Sequence, residues 1–221
     1  PDWELIEDFG YNLLMANRRM MASQYGEHVF IEQHFVGRKG RFLDVGAYDG
    51  VTFSNTRGLA MAEWSGVCVE PNPLIHEYLL RNLEDYPKVV AFPVAIVPNG
   101  YPAKTHMWAH QDMLSTLTQE HHDKIKRHNK AVEYQQLPIR AETWGYLLDV
   151  HPGPYDFINI DVEGLNWELL QCFPFDQIGA EMICFEIDPE AKYQEFCRYF
   201  AANGYPHQKR IGCNLLAWRD V

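Results

Sequence analysis

The stretch Arg41-Phe42-Leu43-Asp44-Val45-Gly46-Ala47-Tyr48-Asp49-Gly50 constrains the fold more than any other part of the chain. Its first residues read as a buried strand. The glycines then mark a tight turn that brings main chain close to whatever packs there. A second apolar run, Gly66-Val67-Cys68-Val69, follows about twenty residues later and ends in Glu70. Strand, glycine turn, helix, strand and terminal acid form the half of an open α/β sheet that holds an adenosine-type ligand. In that frame the turn backs the ligand and the acid accepts hydrogen bonds from ribose hydroxyls.

The glycine spacing, Gly46-x-x-x-Gly50, is not the G-x-G-x-x-G of a dinucleotide site. It favours S-adenosylmethionine, which has no pyrophosphate to cradle, over NAD. Asp44 lies inside the strand, where a carboxylate is costly to bury without partners. It is expected to accept from backbone amides of the turn or from the cofactor's amino group.

The rest of the chain repeats the alternation. Helices are predicted over 53–63, with Thr52 or Ser54 as N-cap, and from Pro71-Asn72-Pro73 through Leu83. Residues 89–97 read as a third strand that Pro93 ends or bulges. A short helix near 142–149, a strand at Phe157–Ile160 and a helix over 166–173 come next. Met182–Phe185 reads as a fifth strand, Pro189 opens a helix running to about Asn203, and 207–211 with 214–218 read as a closing antiparallel pair. This order argues for a parallel, doubly wound sheet. With 221 residues the chain fits one domain. Residues 1–36 form an N-terminal helical cap, carried by the apolar stripe Leu5, Ile6, Phe9, Leu13, Leu14. Residues 98–141 interrupt the rhythm as a polar insertion with one short alternating strand at 104–110, and are expected to shape the acceptor site.

Three predicted strands end in acids: Glu70, Asp161 with Glu163, and Glu186 with Asp188. Ligands of open α/β sheets bind at that rim. Asp161 and Glu186 can clamp a divalent metal such as Mg2+. Asp161 or Glu163 can instead serve as general base, or these acids can simply cap the helices that follow. Five of the ten histidines fall in the insertion without zinc-type spacing. Among them His110 is a catalytic candidate, and Ser115 reaches the cofactor if its loop folds over the pocket. Trp64, Trp144, Trp167 and Trp218 read as core aromatics.

A net charge of −11 argues against a nucleic-acid partner. No apolar run approaches the roughly 18 residues of a membrane span. Five dispersed cysteines without a C-x-x-C pair read as reduced core thiols, and the N-terminal residues lack a signal-peptide pattern. A cytoplasmic location is the expectation.

The chain resembles the FkbM-like S-adenosylmethionine-dependent methyltransferases. Phe42 to Thr56 resembles that family's first motif, Gly66 to Pro73 its second, and Ile160-Asp161-Val162-Glu163-Gly164 its fourth-strand motif. Ser23-Gln24-Tyr25-Gly26-Glu27 resembles its lead-in, and Gly204-Tyr205 and Asn214 to Ala217 also fit. The resemblance implies a class I methyltransferase (Rossmann-like) fold, a seven-stranded mixed sheet with helices on both faces and a reversed last strand. It implies cofactor contacts at Asp44, Gly46, Gly50, Glu70 and Asn72. The candidate set extends to Gln24, Ala47, Tyr48, Asn55, Pro71, Ala95 and Ser115. Two departures touch the substrate end: His28 and Asn166 stand where acids are usual. The implied activity is O-methylation of a hydroxyl on a sugar, glycan or glycosylated metabolite. The rivals are an NAD(P)- or other nucleotide-binding Rossmann enzyme and a non-catalytic cofactor-binding partner subunit.

Overall fold

A computed structural model describes residues 23–110, 113–187 and 192–220. The apolar stripe before Ser23, Asp188 and Pro189 lie outside the described residues. The central sheet has seven strands: β1 (Arg41–Val45), β2 (Ser65–Val69), β3 (Val89–Phe92), β7 (Phe157–Ile160), β8 (Met182–Glu186), β9 (His207–Ile211) and β10 (Asn214–Trp218). Their spatial order is β3-β2-β1-β7-β8-β10-β9. All neighbours from β3 to β8 pair parallel, and β10 runs antiparallel to both β8 and β9. The expected mixed sheet with its reversed last strand is present.

The central strands β1, β2, β7 and β8 are mostly apolar because both faces are covered, whereas the edge strand β9 is polar. Leu43, Val45, Val67, Val69, Ile158 and Ile160 pack on one face with Trp144, Leu147, Leu169 and Phe196. Phe42, Cys68, Phe157 and Cys184 pack on the other with Ile31, Leu59 and Leu79. The first helical layer is α5 (Trp144–Val150), α6 (Asn166–Gln171) and α8 (Tyr193–Ala202). The second is α1 (Glu27–His34), α2 (Arg57–Met61) and α3 (Pro73–Leu83). Trp64 and Trp144 are buried, each indole N–H donating to a main-chain carbonyl, while Trp167 and Trp218 are partly buried against the core. All five cysteines are free thiols. No helix among the described residues is long and apolar enough to cross a membrane.

Three local expectations need correction. The helix predicted from 53 begins only at Arg57, because Ser54 Oγ accepts from Thr56 N and Arg57 N and holds 53–56 as a turn. Residues 89–97 are not one strand. At Pro93 the chain leaves the main sheet, and β4 (Ala95–Ile96) joins a second sheet ordered β4-β6-β5. The insertion supplies the rest of that sheet as β5 (Lys104–Ala109) and β6 (Gln135–Glu142), with α4 (Gln119–His128) between them. The helix α4 offers no apolar stripe, since only His121 is buried, whereas β6 turns Leu137, Ile139 and Ala141 inward at alternate positions. The helix α7 (Phe175–Ile178) was also not anticipated.

Candidate functional site

The chain order reverses at β1, which has β2 on one side and β7 on the other, so a crevice opens at its carboxyl end. Gly46 makes the crevice possible. Its φ is +88°, and a Cβ there would lie 1.6 Å from the Asp161 carbonyl oxygen. Gly46 N and Ala47 N both donate to Val69 O at 3.0 Å, which ties the turn to β2. Tyr48 follows at φ 50°, and its N–H donates to Glu70 Oε2 at 3.1 Å. Asn72 N donates to Glu70 Oε1 at 2.7 Å. Burial raises the Glu70 carboxyl to about 7; the two amides oppose the shift and Asp44 adds to it.

Asp44 was expected to accept from the turn amides or from the cofactor's amino group, and the first of these is not what the structure shows. Its carboxylate accepts from Thr56 Oγ1 (2.6 Å) and Asn159 Nδ2 (2.8 Å), not from the amides of the turn. Burial raises its carboxyl, and these two hydrogen bonds oppose the shift. Asn159 in turn accepts from Asn55 Nδ2 at 2.9 Å. Asn55 Oδ1 is left buried without a donor while Asn55 lines the cavity. An acceptor in that position fits a cationic donor such as the cofactor's ammonium.

The cavity measures about 410 Å³, within the usual range for small-molecule sites. Of the expected contacts, Gln24, Asp44, Gly46, Ala47, Tyr48, Asn55, Glu70, Pro71, Ala95 and Ser115 line it, as do Asp161, Glu163 and Glu186. Gly50, Asn72 and His110 do not. Gly50 closes the turn by donating to Ala47 O. Asn72 caps α3 by accepting from Leu74 N, while its Nδ2 donates to His110 O and Ser115 Oγ. His110 thus meets the site through its main chain, and its ring stands 5.6 Å from that of Tyr134.

Beyond β7 and β8, Asp161, Glu163 and Glu186 each offer a carboxylate oxygen within 4.8 Å of the others. Burial, then the charges of Glu186 and Glu163, hold the Asp161 carboxyl well above the usual carboxylate range. Its Oδ1 is buried without a hydrogen-bond partner. Asn166, one of the two departures, accepts from Val162 N and donates to Glu186 Oε2 at 2.8 Å. An acid there would add a fourth carboxylate to the cluster. The other departure, His28, places Nδ1 2.6 Å from Ser23 Oγ and fastens the lead-in.

Four groups of the site were missed in the sequence. Asn159 could have been found, as the lone polar residue of its buried strand. Cys213 and Asn214 line the cavity from the β9–β10 turn, and His121 reaches Glu163 from α4. No local signal marks these three.

S-adenosylmethionine fits the residues present: a turn too close for any side chain, an acid at the end of β2, and an orphaned acceptor at Asn55. Among solved structures, the chain is similar to the human methyltransferase 10 domain containing protein. That likeness has a TM-score of 0.50 at 13% identity, covering 99% of this chain and 97% of that one. It also aligns with precorrin-6y C5,15-methyltransferase from Geobacter metallireducens GS-15 (TM-score 0.49, 13% identity, 87% and 86% covered). A third alignment is with the ribosomal protein L11 methylase from Lactobacillus delbrueckii subsp. bulgaricus (0.46, 11%, 88% and 77%). At such identities the 0.50 likeness speaks for the class I methyltransferase fold alone. No curated protein matches the chain. The family comparison carries further, because the methyltransferase FkbM domain matches residues 44–206, the span that holds the turn, all three acid-tipped strand ends and the insertion. The chain therefore belongs to the FkbM methyltransferase family and is an S-adenosylmethionine-dependent methyltransferase.

Proposed function

We propose that this enzyme methylates a hydroxyl oxygen of an uncharged, polyhydroxylated acceptor such as a sugar, a glycan or a glycosylated metabolite. One observation carries the reading. Every charged side chain among the described lining residues is a carboxylate: Asp44, Glu70, Asp161, Glu163 and Glu186. A phosphate or carboxylate placed 4–6 Å from one such charge is disfavoured by about 3–4 kcal/mol at an effective dielectric of 20. Hydroxyls instead find acceptors there.

The cofactor supplies a methyl already activated on its sulfonium, so the chain must align the acceptor and take one proton. Glu70 would hold the ribose, and Gln24, Asn55 and the Gly46 turn the rest of the cofactor. Asp161, whose carboxyl is raised by burial and its acidic neighbours and is the more basic for it once ionised, is the favoured base, with Glu163 beside it. The insertion closes the acceptor side through Ser115 and Thr116. A second reading gives Asp161 and Glu186 to a divalent cation such as Mg2+, favoured by the close approach of the carboxylate oxygens. The basic run Lys124, Lys126, Arg127 and Lys130 on the insertion favours an anionic acceptor such as RNA instead. The carboxylate lining of the pocket outweighs it. Five free thiols suit a reducing, cytoplasm-like compartment.

Methyl-labelled S-adenosylmethionine offered with neutral oligosaccharides, matching sugar phosphates and an RNA oligonucleotide tests this directly. Transfer at least tenfold faster to the neutral member, with the label on oxygen by mass spectrometry, is the expected result. Preferred transfer to RNA or to nitrogen overturns it, and abolition of transfer by EDTA with recovery on Mg2+ selects the metal reading.

A further inference from the structure

The turn after β7 is held in an unfavourable shape. Glu163 has φ 48°, in the left-handed region that a non-glycine residue enters at a cost, and Gly164 follows at φ +100°. Such a turn persists only where its surroundings over-determine it. Those surroundings come from the insertion. Thr116 Oγ1 donates to Glu163 O at 2.6 Å. Thr118 N donates to Thr116 Oγ1, and Thr118 Oγ1 accepts from His121 N as the cap of α4. The first turn of α4 is thereby seated against Gly164, where a Cβ would lie 2.8 Å from Thr118 Oγ1 and 2.9 Å from His121 Cβ.

His121 completes the contact. It is 9% exposed, and its Nε2 lies 2.9 Å from Glu163 Oε2. A carboxylate only accepts, so that nitrogen carries the proton. The Glu163 side chain is thus tethered at the same residue whose main chain Thr116 grips.

We infer that His121 is a positioning residue of the methyl-transfer site: from the insertion it latches Glu163 in the left-handed turn that aims its carboxylate at Asp161 and Glu186. The inference rests on the methyl-transfer reading above. It makes the insertion part of the catalytic constellation as well as a cover, since releasing the latch frees the Glu163 carboxylate from the acid cluster without touching the cofactor turn. His121 acts through Glu163 and does not line the cavity.

The test uses the full chain with S-adenosylhomocysteine, and compares wild type, His121→Phe and His121→Gln. Phenylalanine keeps a ring against Gly164 and removes the hydrogen bond; glutamine keeps an N–H donor. Backbone amides of Thr118 and Val162, which donate to Thr116 Oγ1 and Asn166 Oδ1 on either side of the turn, are expected to exchange with deuterium at least tenfold faster in His121→Phe and at the wild-type rate in His121→Gln. A purely packing role predicts the reverse order, and equal rates in wild type and His121→Phe overturn the latch. If His121→Phe does not fold, the wild-type imidazole decides. A slowly exchanging Nε2 proton in nitrogen-15 spectra, lost in Glu163→Ala, supports the latch, and a freely exchanging one refutes it. S-adenosylhomocysteine affinity within twofold across the set is expected. Its absence in every protein, wild type included, defeats the methyl-transfer reading, whereas intact binding with unchanged exchange defeats the latch alone. With an acceptor from the preceding screen, kcat falls at least tenfold in His121→Phe while KM for S-adenosylmethionine holds.

Discussion

At the β1–β2 end of the cavity each carboxylate is met by donors, whereas at the β7–β8 end three carboxylates face one another. Glu70 receives two main-chain amides from residues 48 and 72, and Asp44 receives Thr56 and Asn159. Those partners belong to the protein itself, two of them main-chain amides, so they fix both carboxylates from within the fold. Asp161, by contrast, keeps one buried oxygen without a partner and lies beside two further acids, so its carboxyl is forced upward. A group left in that condition has a proton to take or a ligand to meet. In one half of the cavity both carboxylates have donors on them; in the other, Glu163 and Glu186 do and Asp161 Oδ1 does not.

Substitution at the joint between the halves should have the largest effect. Gly46→Ala places a Cβ against the Asp161 carbonyl at a left-handed φ, so both strand ends must move. A loss of about 3 kcal/mol or more is expected, read as the shift in urea midpoint. Wild-type stability in this variant would mean that the two ends are not joined through this contact.

The second effect separates the halves. Asp161→Asn should lower kcat on the true acceptor about 100-fold or more, the range for a lost general base. Cofactor affinity by calorimetry should stay within a few-fold of wild type. Full turnover would remove Asp161 as the base, and a collapse of cofactor binding would show that the ends are not separable.

The smallest effect sharpens the binding half through pH. The folded Glu70 carboxyl lies near 7 against an ordinary value of 4.5. Between those values the native state holds a proton that the unfolded chain has released. The cofactor-free protein therefore loses stability as pH rises through that window. Ribose hydroxyls need the ionised acid, so affinity for S-adenosylmethionine should rise about tenfold from pH 6 to pH 8. At pH 6 binding should release close to one proton, seen as a buffer-dependent enthalpy in calorimetry. A Glu70→Gln variant should show neither effect; if it does, the titrating group lies elsewhere.

How much of this was legible in advance follows the same division. Gly46, Ala47, Tyr48 and Glu70 could be placed from sequence because strand, turn and strand are local and the glycine is required where main chains meet. Gly50 and Asn72 were named from the same neighbourhood and His110 from the insertion, yet none of the three lines the cavity. Which side of a turn faces the cavity depends on the packing of helix α3 and the insertion. The insertion itself was read as polar with one alternating strand, which is β5; β6 was passed over although its alternate residues are buried, and α4 gave no apolar stripe because only His121 is buried.

The succession of strands and helices along the chain, the glycine turn after β1 and the acid at the tip of β2 were thus determined by the sequence itself, through apolar runs, glycine turns and their spacing. Only the tertiary structure decided the rest. It brought Glu163 and His121 together across 42 residues, set Asn214 beside the buried Glu27, and left Asp161 Oδ1 without a partner. The physical reason is range. Local conformational preference acts over a few residues and survives in the sequence. Contacts between distant segments arise only when the sheet and its layers bury their apolar faces together.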